Sequence, residues 1–324
     1  MGSVSNIIFG TMTLSYEGYG SRVHDQETAR SMFDAFASAG YHNVDTAHNY
    51  GNGSCEQMLG DLGVAEDFSV ATRFDPLLTP HGHDPDVLKQ SVRTSLKRLR
   101  TDSVAVLYLA FHDSRTPLDH TLRAVDELHR EGLFGEFGLS NFSAADVRMG
   151  LDICSKNGWV LPTVYQGLYN AVSRRAEDEL LPDLAEIGMR FHAYNPLAGG
   201  AFAPGFGSGD VEPGSRFDPN QPQGQLYRSR YLNPAYLAAL GAMHEACAQA
   251  GVSPISAALR WLVHHSRLRG EAGDGVILGA SSPAHLTQNL AAVAEGPLPA
   301  AVVSAIDDAA EIARPSWPEI SRIT

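Results

Sequence analysis

The sequence predicts an α/β protein in which eight parallel strands close into a (β/α)8, or TIM, barrel. Short apolar runs alternate with helical patterns along all 324 residues, and this alternation is typical of a parallel sheet. Eight such units indicate one closed barrel domain, residues 1–324, with its active site at the carboxyl ends of the strands. A doubly wound open sheet is the alternative. Against it, the first strand runs into Gly10-Thr11-Met12 rather than a Gly-x-Gly-x-x-Gly loop.

The strands are predicted from short apolar runs. Residues 103–109 give the clearest signal, because the run is apolar throughout, as a strand buried on both faces should be. In chain order, the predicted strands are residues 6–11, 43–46, 68–72, 103–109, 135–139, 163–166, 189–194 and 275–278.

Helical patterns separate these strands. The predicted helices are residues 25–39, 54–62, 85–99, 117–130, 144–156, 176–186, 234–250, 254–265 and 283–294. Residues 196–233 hold many glycines and prolines, and we expect them to form a long loop that covers the active site after the seventh strand. Residues 295–324 are expected to form a C-terminal tail.

Charge and cysteine usage exclude several classes of partner. Lys and Arg number 24 and Asp and Glu 37, so the net charge of −13 repels nucleic acid and anionic membrane surfaces. Cys55, Cys154 and Cys247 lie far apart and show neither zinc-site spacing nor a disulfide framework, so no metal is expected. The chain shows no basic, apolar leader and no membrane-spanning run. A soluble, cytoplasmic protein is therefore expected.

One carboxylate and one phenol suggest acid catalysis. Asp45 ends the second predicted strand, and Tyr50 follows in a glycine-rich loop. A tyrosine can donate its proton to a carbonyl oxygen, and a carboxylate can hold beside it a cation that lowers its pKa. The pair alone is weak, because a solvated loop tyrosine and a helix-capping aspartate would give the same pattern.

Polar residues at other strand ends suit a flat, hydrogen-bonding cofactor. Ser140, Asn141 and Gln166 could bind a carboxamide, and Tyr194 could stack on an aromatic ring. Residues 279–283 lead from a strand into a helix, whose N-terminus could bind a phosphate. The alternative is that such residues, Ser140 and Ser282 especially, only cap helices.

Several motifs together resemble one enzyme family, the aldo-keto reductases, and within it the aflatoxin-aldehyde and succinic-semialdehyde reductases. The segments that carry the resemblance are residues 10–12, 45–47 with Tyr50, 138–142, 161–167, 194–200, 258–266, 276–279 and 288–292. The resemblance covers nearly the whole chain in order. It implies a barrel that binds NADP(H) without a Rossmann domain and transfers hydride between nicotinamide and a carbonyl or alcohol.

The resemblance also assigns roles to single residues. Asp45 and Tyr50 match two of the family's four catalytic positions, Ser140, Asn141 and Gln166 the nicotinamide-amide ligands, and Tyr194 the stacking ring. The positions that match the loop over the pyrophosphate are Asn195, Leu197, Gly199 and Gly200. Those in the adenosine-phosphate segment are Gly279, Ser281, Ser282, Gln288 and Asn289. Arg228 and Arg230 match a basic pair near the cofactor or the substrate mouth.

Two catalytic positions depart from the family. The family's lysine is Arg73 here, and its histidine after the fourth strand is Ala110. Arg73 could pair with Asp45 through two prongs and still lower the Tyr50 pKa, but it cannot relay a proton. A structural ion pair is the equally weighted alternative for Arg73. His112 or His48 could take over from the missing histidine, although loop packing accounts for them as well.

A third departure affects the cofactor. The close branch has a basic residue after the Gly-Gly pair, and here residues 201–206 contain none. NADPH is expected over NADH, with Arg228, Arg230 or His285 compensating for that loss.

The pattern supports three functions. The first is NADP(H)-dependent reduction of a carbonyl by Tyr50, Asp45 and Arg73. The others, both motivated by the two lost positions, are a non-redox dehydratase or cyclase and a catalytically weak cofactor-binding protein. An apolar or aromatic small molecule is the expected substrate, contacted by Met12, Phe111 and His112. The exterior helices could form a homodimer, as the resemblance implies.

Overall fold

Within residues 3–207 and 215–321, which the computed structural model describes, eight parallel strands close into a barrel in chain order. The predicted fold is therefore confirmed. The strands are β1 (Asn6–Gly10), β2 (Asn43–Asp45), β3 (Ser69–Phe74), β4 (Val104–Leu109), β5 (Phe134–Ser140), β6 (Pro162–Leu168), β7 (Arg190–Tyr194) and β8 (Gly275–Gly279).

The register of the strands brings the predicted strand-end residues to one end of the barrel. Gly10 lies opposite Asp45 on β2 and opposite Gly279 on β8, which closes the ring. Further round, Ser140 pairs with Gln166. Because all strands run parallel, their carboxyl ends share one rim, and polar side chains far apart in the sequence meet there.

Helices surround the barrel. They are α1 (Gln26–Ser38), α2 (Ser54–Asp61), α3 (Val64–Asp67), α4 (Pro85–Leu99), α5 (Leu118–Arg130), α6 (Ala144–Asn157), α7 (Arg175–Glu179), α8 (Leu181–Glu186), α9 (Pro222–Tyr231), α10 (Pro234–Ala250), α11 (Pro254–His264), α12 (Pro283–Ala294) and α13 (Ala300–Ala313). Side chains of Asp25, Asp84, Ser143, Asn233 and Ser253 accept hydrogen bonds from the first turns. These caps explain why helices begin where the sequence predicts.

Three segments differ from the prediction in the helices that they contain. The predicted helix at 176–186 is two helices, α7 and α8, because Pro182 cannot supply the backbone donor that would continue the first. The segment at 196–233 is not an unbroken loop, since Pro222–Tyr231 forms α9 with Gly224, Tyr227 and Tyr231 buried on one face. The C-terminal tail contains α13, which buries an apolar face and packs against α10.

The state of the cysteine thiols and the length of the helices are two further properties of the fold. Cys55, Cys154 and Cys247 are all buried and free. Of the helices in the described parts of the chain, none is both long enough and apolar enough to cross a bilayer.

A close crossing of α2 and α4 gives a test of the fold. A Cβ atom at Gly60 would lie 2.0 Å from the carbonyl oxygen of Arg98, whereas one at Gly241 in α10 would meet nothing within 4 Å. We expect Gly60→Ala to lower the free energy of unfolding by about 1–3 kcal/mol because the two backbones must separate. The control, Gly241→Ala, should raise it by about 0.5–1 kcal/mol through helix propensity. Urea denaturation measures both, and equal effects would contradict the crossing.

Candidate active site

A cleft of about 680 Å³ opens at the carboxyl ends of the strands. It gathers most of the residues predicted from the sequence, which are Met12, Asp45, Tyr50, Arg73, Phe111, Asn141, Gln166, Tyr194, Asn195, Leu197, Gly199, Gly200, Arg230, Gly279, Ser281, Gln288 and Asn289. Ser140, Ser282, His112 and Arg228 do not line it. The cleft therefore joins the predicted acid, its charged neighbours and most of the predicted cofactor ligands in one space.

A tight turn places Tyr50 at the cleft. Tyr50 begins a short 3-10 turn that ends at Gly53, and Gly51 within it adopts a left-handed φ of 54°. A Cβ atom on Gly51 would lie 2.4 Å from the Cβ atom of Ser15. Glycine is needed here on both counts, and the close approach to Ser15 fixes where the loop presents the phenol.

Arg73 is held through all three of its guanidinium nitrogens. Nη2 donates to Asp45 Oδ2, Nη1 donates to Gln166 Oε1, and Nε donates to the Thr46 carbonyl oxygen at 3.3 Å. The prediction that both prongs of the guanidinium would meet Asp45 is wrong. One prong goes to Gln166, because Gln166 Nε2 already donates to the second carboxylate oxygen of Asp45 at 2.8 Å.

Two tyrosine rings flank this arginine. The guanidinium carbon of Arg73 lies 5.8 Å from the ring centroid of Tyr50 and 5.9 Å from that of Tyr108. Tyr108 is fully buried, and its hydroxyl hydrogen-bonds His192 Nδ1 at 2.9 Å, deeper in the barrel. The cation thus lies between the candidate acid and a buried polar network below it.

Burial and mutual attraction together affect the pKa values of Arg73 and Asp45. Burial would lower the pKa of Arg73, but neighbouring Asp45 raises it, so the guanidinium stays charged. Burial raises the pKa of Asp45, and the charge of Arg73 and the hydrogen bond from Gln166 oppose that rise. Two buried groups therefore depend on each other for their charge.

Burial outweighs the predicted lowering of the Tyr50 pKa by the charge of Arg73. Burial raises it to about 12, and the charge of Arg73 only partly offsets this rise. The phenol remains partly exposed to the cleft, yet packed protein surrounds it closely enough for desolvation to dominate. Tyr50 is consequently a neutral proton donor at any ordinary pH.

The far side of the cleft carries amide groups that are tied to tyrosines. Asn141 and Asn195 follow β5 and β7 and adopt left-handed φ values of 56° and 57°. Asn141 Oδ1 accepts from the Tyr194 hydroxyl, and Asn195 Oδ1 accepts from the Tyr227 hydroxyl, both at 2.8 Å. Asn195 Nδ2 is buried without a hydrogen-bond partner. This unsatisfied donor points to a ligand group with an acceptor.

The end of the cleft that is predicted to bind phosphate lies at β8 and α12. Ser282 caps α12 by accepting from the backbone N–H of His285 at 3.2 Å, as the capping alternative predicts. Ser281 Oγ hydrogen-bonds His285 Nδ1 at 2.8 Å, and Asn289 Nδ2 donates to the Gly279 carbonyl oxygen at 3.3 Å. A serine and a histidine, Ser281 and His285, therefore line the cleft beside the start of α12.

Three polar residues are of particular interest among the cleft residues outside the predicted set. Arg216 packs over the Tyr227 ring, with its guanidinium carbon 5.8 Å from the centroid, and lies near Gly279. Asn49, next to Tyr50, and Gln223 on α9 each carry a buried side-chain oxygen without a hydrogen-bond partner. Of the three, only Asn49 could be expected at the site from the sequence, because it lies next to Tyr50. Arg216 and Gln223 lie in residues 196–233, which were predicted to form a loop over the active site.

Comparison with known families adds to this geometry. A sequence model described as the aldo/keto reductase family matches residues 6–311. The chain belongs to the aldo/keto reductase family. Membership supports a carbonyl-reducing oxidoreductase that acts on a small molecule with a nicotinamide cofactor.

Several relatives are similar over most of their length. The human protein "Aldo-keto reductase family 7 member A3" is 42% identical over 297 residues, covering 88% of this chain and 89% of the relative. Mouse "Aflatoxin B1 aldehyde reductase member 2" is 41% identical, covering 93% and 83%. "Aldo-keto reductase pigE" of Monascus ruber is 34% identical, covering 95% and 96%. The predicted resemblance to the aflatoxin-aldehyde branch is confirmed.

In this aldo/keto reductase, neither of the two candidate histidines, His48 and His112, lines the cleft that Ala110 lines. His112 instead lies 3.5 Å from Asp146 Oδ2 and packs against the Phe142 ring, and it does not line the cleft. His48 hydrogen-bonds the Arg73 carbonyl oxygen through Nδ1 at 2.9 Å and stacks on Phe74. Loop packing accounts for both, so the prediction that His112 contacts substrate gains no support.

The described part of this aldo/keto reductase offers no metal centre. Within residues 3–207 and 215–321, no three His, Cys, Asp or Glu side chains are grouped so that they could hold a metal ion.

Proposed function

We propose that the protein is an NADP(H)-dependent oxidoreductase that reduces a carbonyl group on an apolar or aromatic small molecule, with Tyr50 as the acid. The observation that carries the proposal is the single cleft shared by the phenol of Tyr50, the Arg73 cation and the Tyr194 ring. Family membership supports the reaction type, and the reductase names of the relatives agree with it.

The residues present fit a phosphorylated dinucleotide. Arg216 and Arg230 supply two cations at the cleft, and the N-terminus of α12 with Ser281 supplies further donors to phosphate. The unpartnered Asn195 Nδ2 gives a buried donor between the two ends of the cleft. Tyr194 offers a ring for the nicotinamide. These cations favour NADPH over NADH, since the additional phosphate needs a positive partner.

Tyr50, Arg73 and Asp45 would each have a separate role in the reduction of a carbonyl group. A nicotinamide cofactor, when bound, would be the source of the hydride that the carbonyl carbon receives. Tyr50 donates its hydroxyl proton to the carbonyl oxygen, so that an alcohol forms and the phenol is left as its anion. Arg73 stabilises that anion as a fixed charge, because a guanidinium does not give up its proton. Asp45 holds Arg73 in place through their ion pair.

The substrate end of the cleft is apolar. Met12, Leu77, Phe111 and Leu226 line it, and Ala110 leaves the room that a histidine would fill. An apolar or aromatic carbonyl compound suits this lining. Cytoplasmic location and a homodimeric assembly stay predictions.

One titration and one screen test the proposal. NADPH and NADH are each titrated into the protein and followed by fluorescence, and a panel of aldehydes, ketones and enones is then screened for loss of NADPH. We expect NADPH to bind more tightly and at least one carbonyl to be turned over. Tight binding without turnover would favour the weak cofactor-binding protein. Product formed without any nicotinamide would favour a dehydratase or cyclase. That alternative arises because Arg73 and Ala110 stand where the family resemblance implies a lysine and a histidine.

The raised pKa of Tyr50 predicts opposite pH profiles for the two directions. Reduction needs the protonated phenol, and with a pKa of about 12 this form dominates at every working pH. The kcat for reduction should therefore show no loss from Tyr50 ionisation up to about pH 10. Alcohol oxidation needs the phenolate, so its kcat should rise about tenfold per unit between about pH 7 and pH 10. Oxidation that levels off near neutral pH would contradict the raised pKa.

A further inference from the structure

We propose that Gln166 is a positioning residue, which holds the guanidinium of Arg73 beside Tyr50 and thereby sets the rate of proton donation. The proposal rests on the proposed function for its kinetic readout. It adds a second role to the one that the family resemblance implies for Gln166, which is binding of the nicotinamide carboxamide.

The amide of Gln166 is occupied at both ends by protein groups. The side chain is buried at the carboxyl end of β6. Oε1 accepts from Arg73 Nη1, and Nε2 donates to Asp45 Oδ1 at 2.8 Å. Asp45 Oδ2 in turn accepts from Arg73 Nη2. The three side chains thus close a ring in which each is bonded to the other two.

The charges in this ring fix the orientation of the amide. Its oxygen faces a cation that can only donate, and its nitrogen faces a carboxylate that can only accept. The reverse orientation would place two donors together and two acceptors together. Gln166 is therefore matched to an Asp–Arg pair, and these two bonds use only one of the two N–H groups of Nε2.

Arginine needs this partner in a way that lysine does not. The guanidinium is planar and presents separate donors, and Asp45 satisfies only Nη2. A buried Nη1 without an acceptor would be destabilising, and the cation would be free to rotate away from the ring of Tyr50. Lysine carries one compact ammonium group, which Asp45 alone can pair. The presence of Arg73 thus assigns Gln166 a task in this chain.

The test is a cycle of Gln166→Leu, Arg73→Lys and the double variant. Leucine keeps the approximate volume of glutamine and removes both hydrogen bonds. In the Arg73 background we expect kcat for carbonyl reduction to fall about tenfold to a hundredfold, the size of a lost hydrogen bond to a charged group. Any change in the NADPH Kd, measured by fluorescence, should be the same in both backgrounds, because only the catalytic loss depends on Arg73. In the Arg73→Lys background the same leucine should cost less than about threefold in kcat.

Two outcomes would overturn the proposal. One is a large rise in the NADPH Kd of Gln166→Leu with kcat preserved, which would make Gln166 a cofactor ligand only. The other is an equal loss of kcat in both backgrounds, which would show that Gln166 does not act through Arg73.

Urea unfolding of the same four proteins separates this proposal from the reaction itself. The unfolding constants should be non-additive by about fivefold or more if residues 73 and 166 interact directly. If no carbonyl is turned over, the proposed function fails. Non-additive unfolding constants would still support the proposal that Gln166 holds Arg73 in place. Additive unfolding constants would overturn that proposal whether or not turnover is found.

Discussion

Replacing Tyr50 with phenylalanine is expected to lower the rate of carbonyl reduction by about 100-fold to 10,000-fold, the usual contribution of a positioned general acid. Phenylalanine fills the same volume, so the ring beside Arg73 is kept and only the proton donor is removed. Ala110 carries no donor, and His112 lies 3.5 Å from Asp146 Oδ2 and does not line the cleft. The measurement is kcat with NADPH and the best carbonyl substrate.

The control for this variant is Tyr41→Phe, which removes a hydroxyl far from the cleft, from a ring that packs against Phe36. It should reduce carbonyl substrates at the wild-type rate. The NADPH Kd of Tyr50→Phe should also match the wild-type value, because the hydroxyl acts on the substrate oxygen. A Tyr50→Phe enzyme that keeps more than about a tenth of its kcat would show that the proton comes from elsewhere.

Placing a histidine at position 110 is expected to raise kcat/KM towards small carbonyl substrates by up to about a hundredfold. A single donor to a developing oxyanion is typically worth about 100-fold to 1,000-fold. Ala110 lines the cleft that also holds Tyr50 and Arg73, so a longer side chain has space towards the substrate. Bulky substrates should lose affinity in the same variant, because the imidazole occupies the room they use.

Ala110→Leu is the matched control for that gain. Leucine fills similar space and offers no hydrogen bond, so it should reproduce the loss of bulky substrates without any increase in rate. Equal kcat/KM for the histidine and leucine variants would mean that a donor at position 110 does not increase the rate of this enzyme.

The barrel was predictable from the sequence because each strand is a local apolar run and each helix has a local start signal. Asp45 and Tyr50 lie close in the sequence, so a local pattern sufficed to pair them. The helix at Pro222–Tyr231 was not predictable in this way: it is stabilised by burial of Tyr227 and Tyr231 rather than by a capped, amphipathic pattern.

Other features depended on residues that meet only in three dimensions. The second prong of Arg73 reaches Gln166 three strands away, and no spacing rule predicts which acceptor it meets. The direction of the Tyr50 pKa depends on how much desolvation outweighs one cation, which the presence of an arginine in the sequence does not determine. Arg216 reaches the cleft by the folding of the segment that precedes α9.

The left-handed asparagines 141 and 195 change how mutagenesis of this rim should be designed. Each residue both turns the chain where a strand ends and offers an amide to its surroundings. Alanine at either position would add backbone strain to the loss of the amide, so an alanine scan would overstate what the side chain does for a ligand. Glycine, which keeps the turn and discards the amide, is the substitution that measures the amide alone.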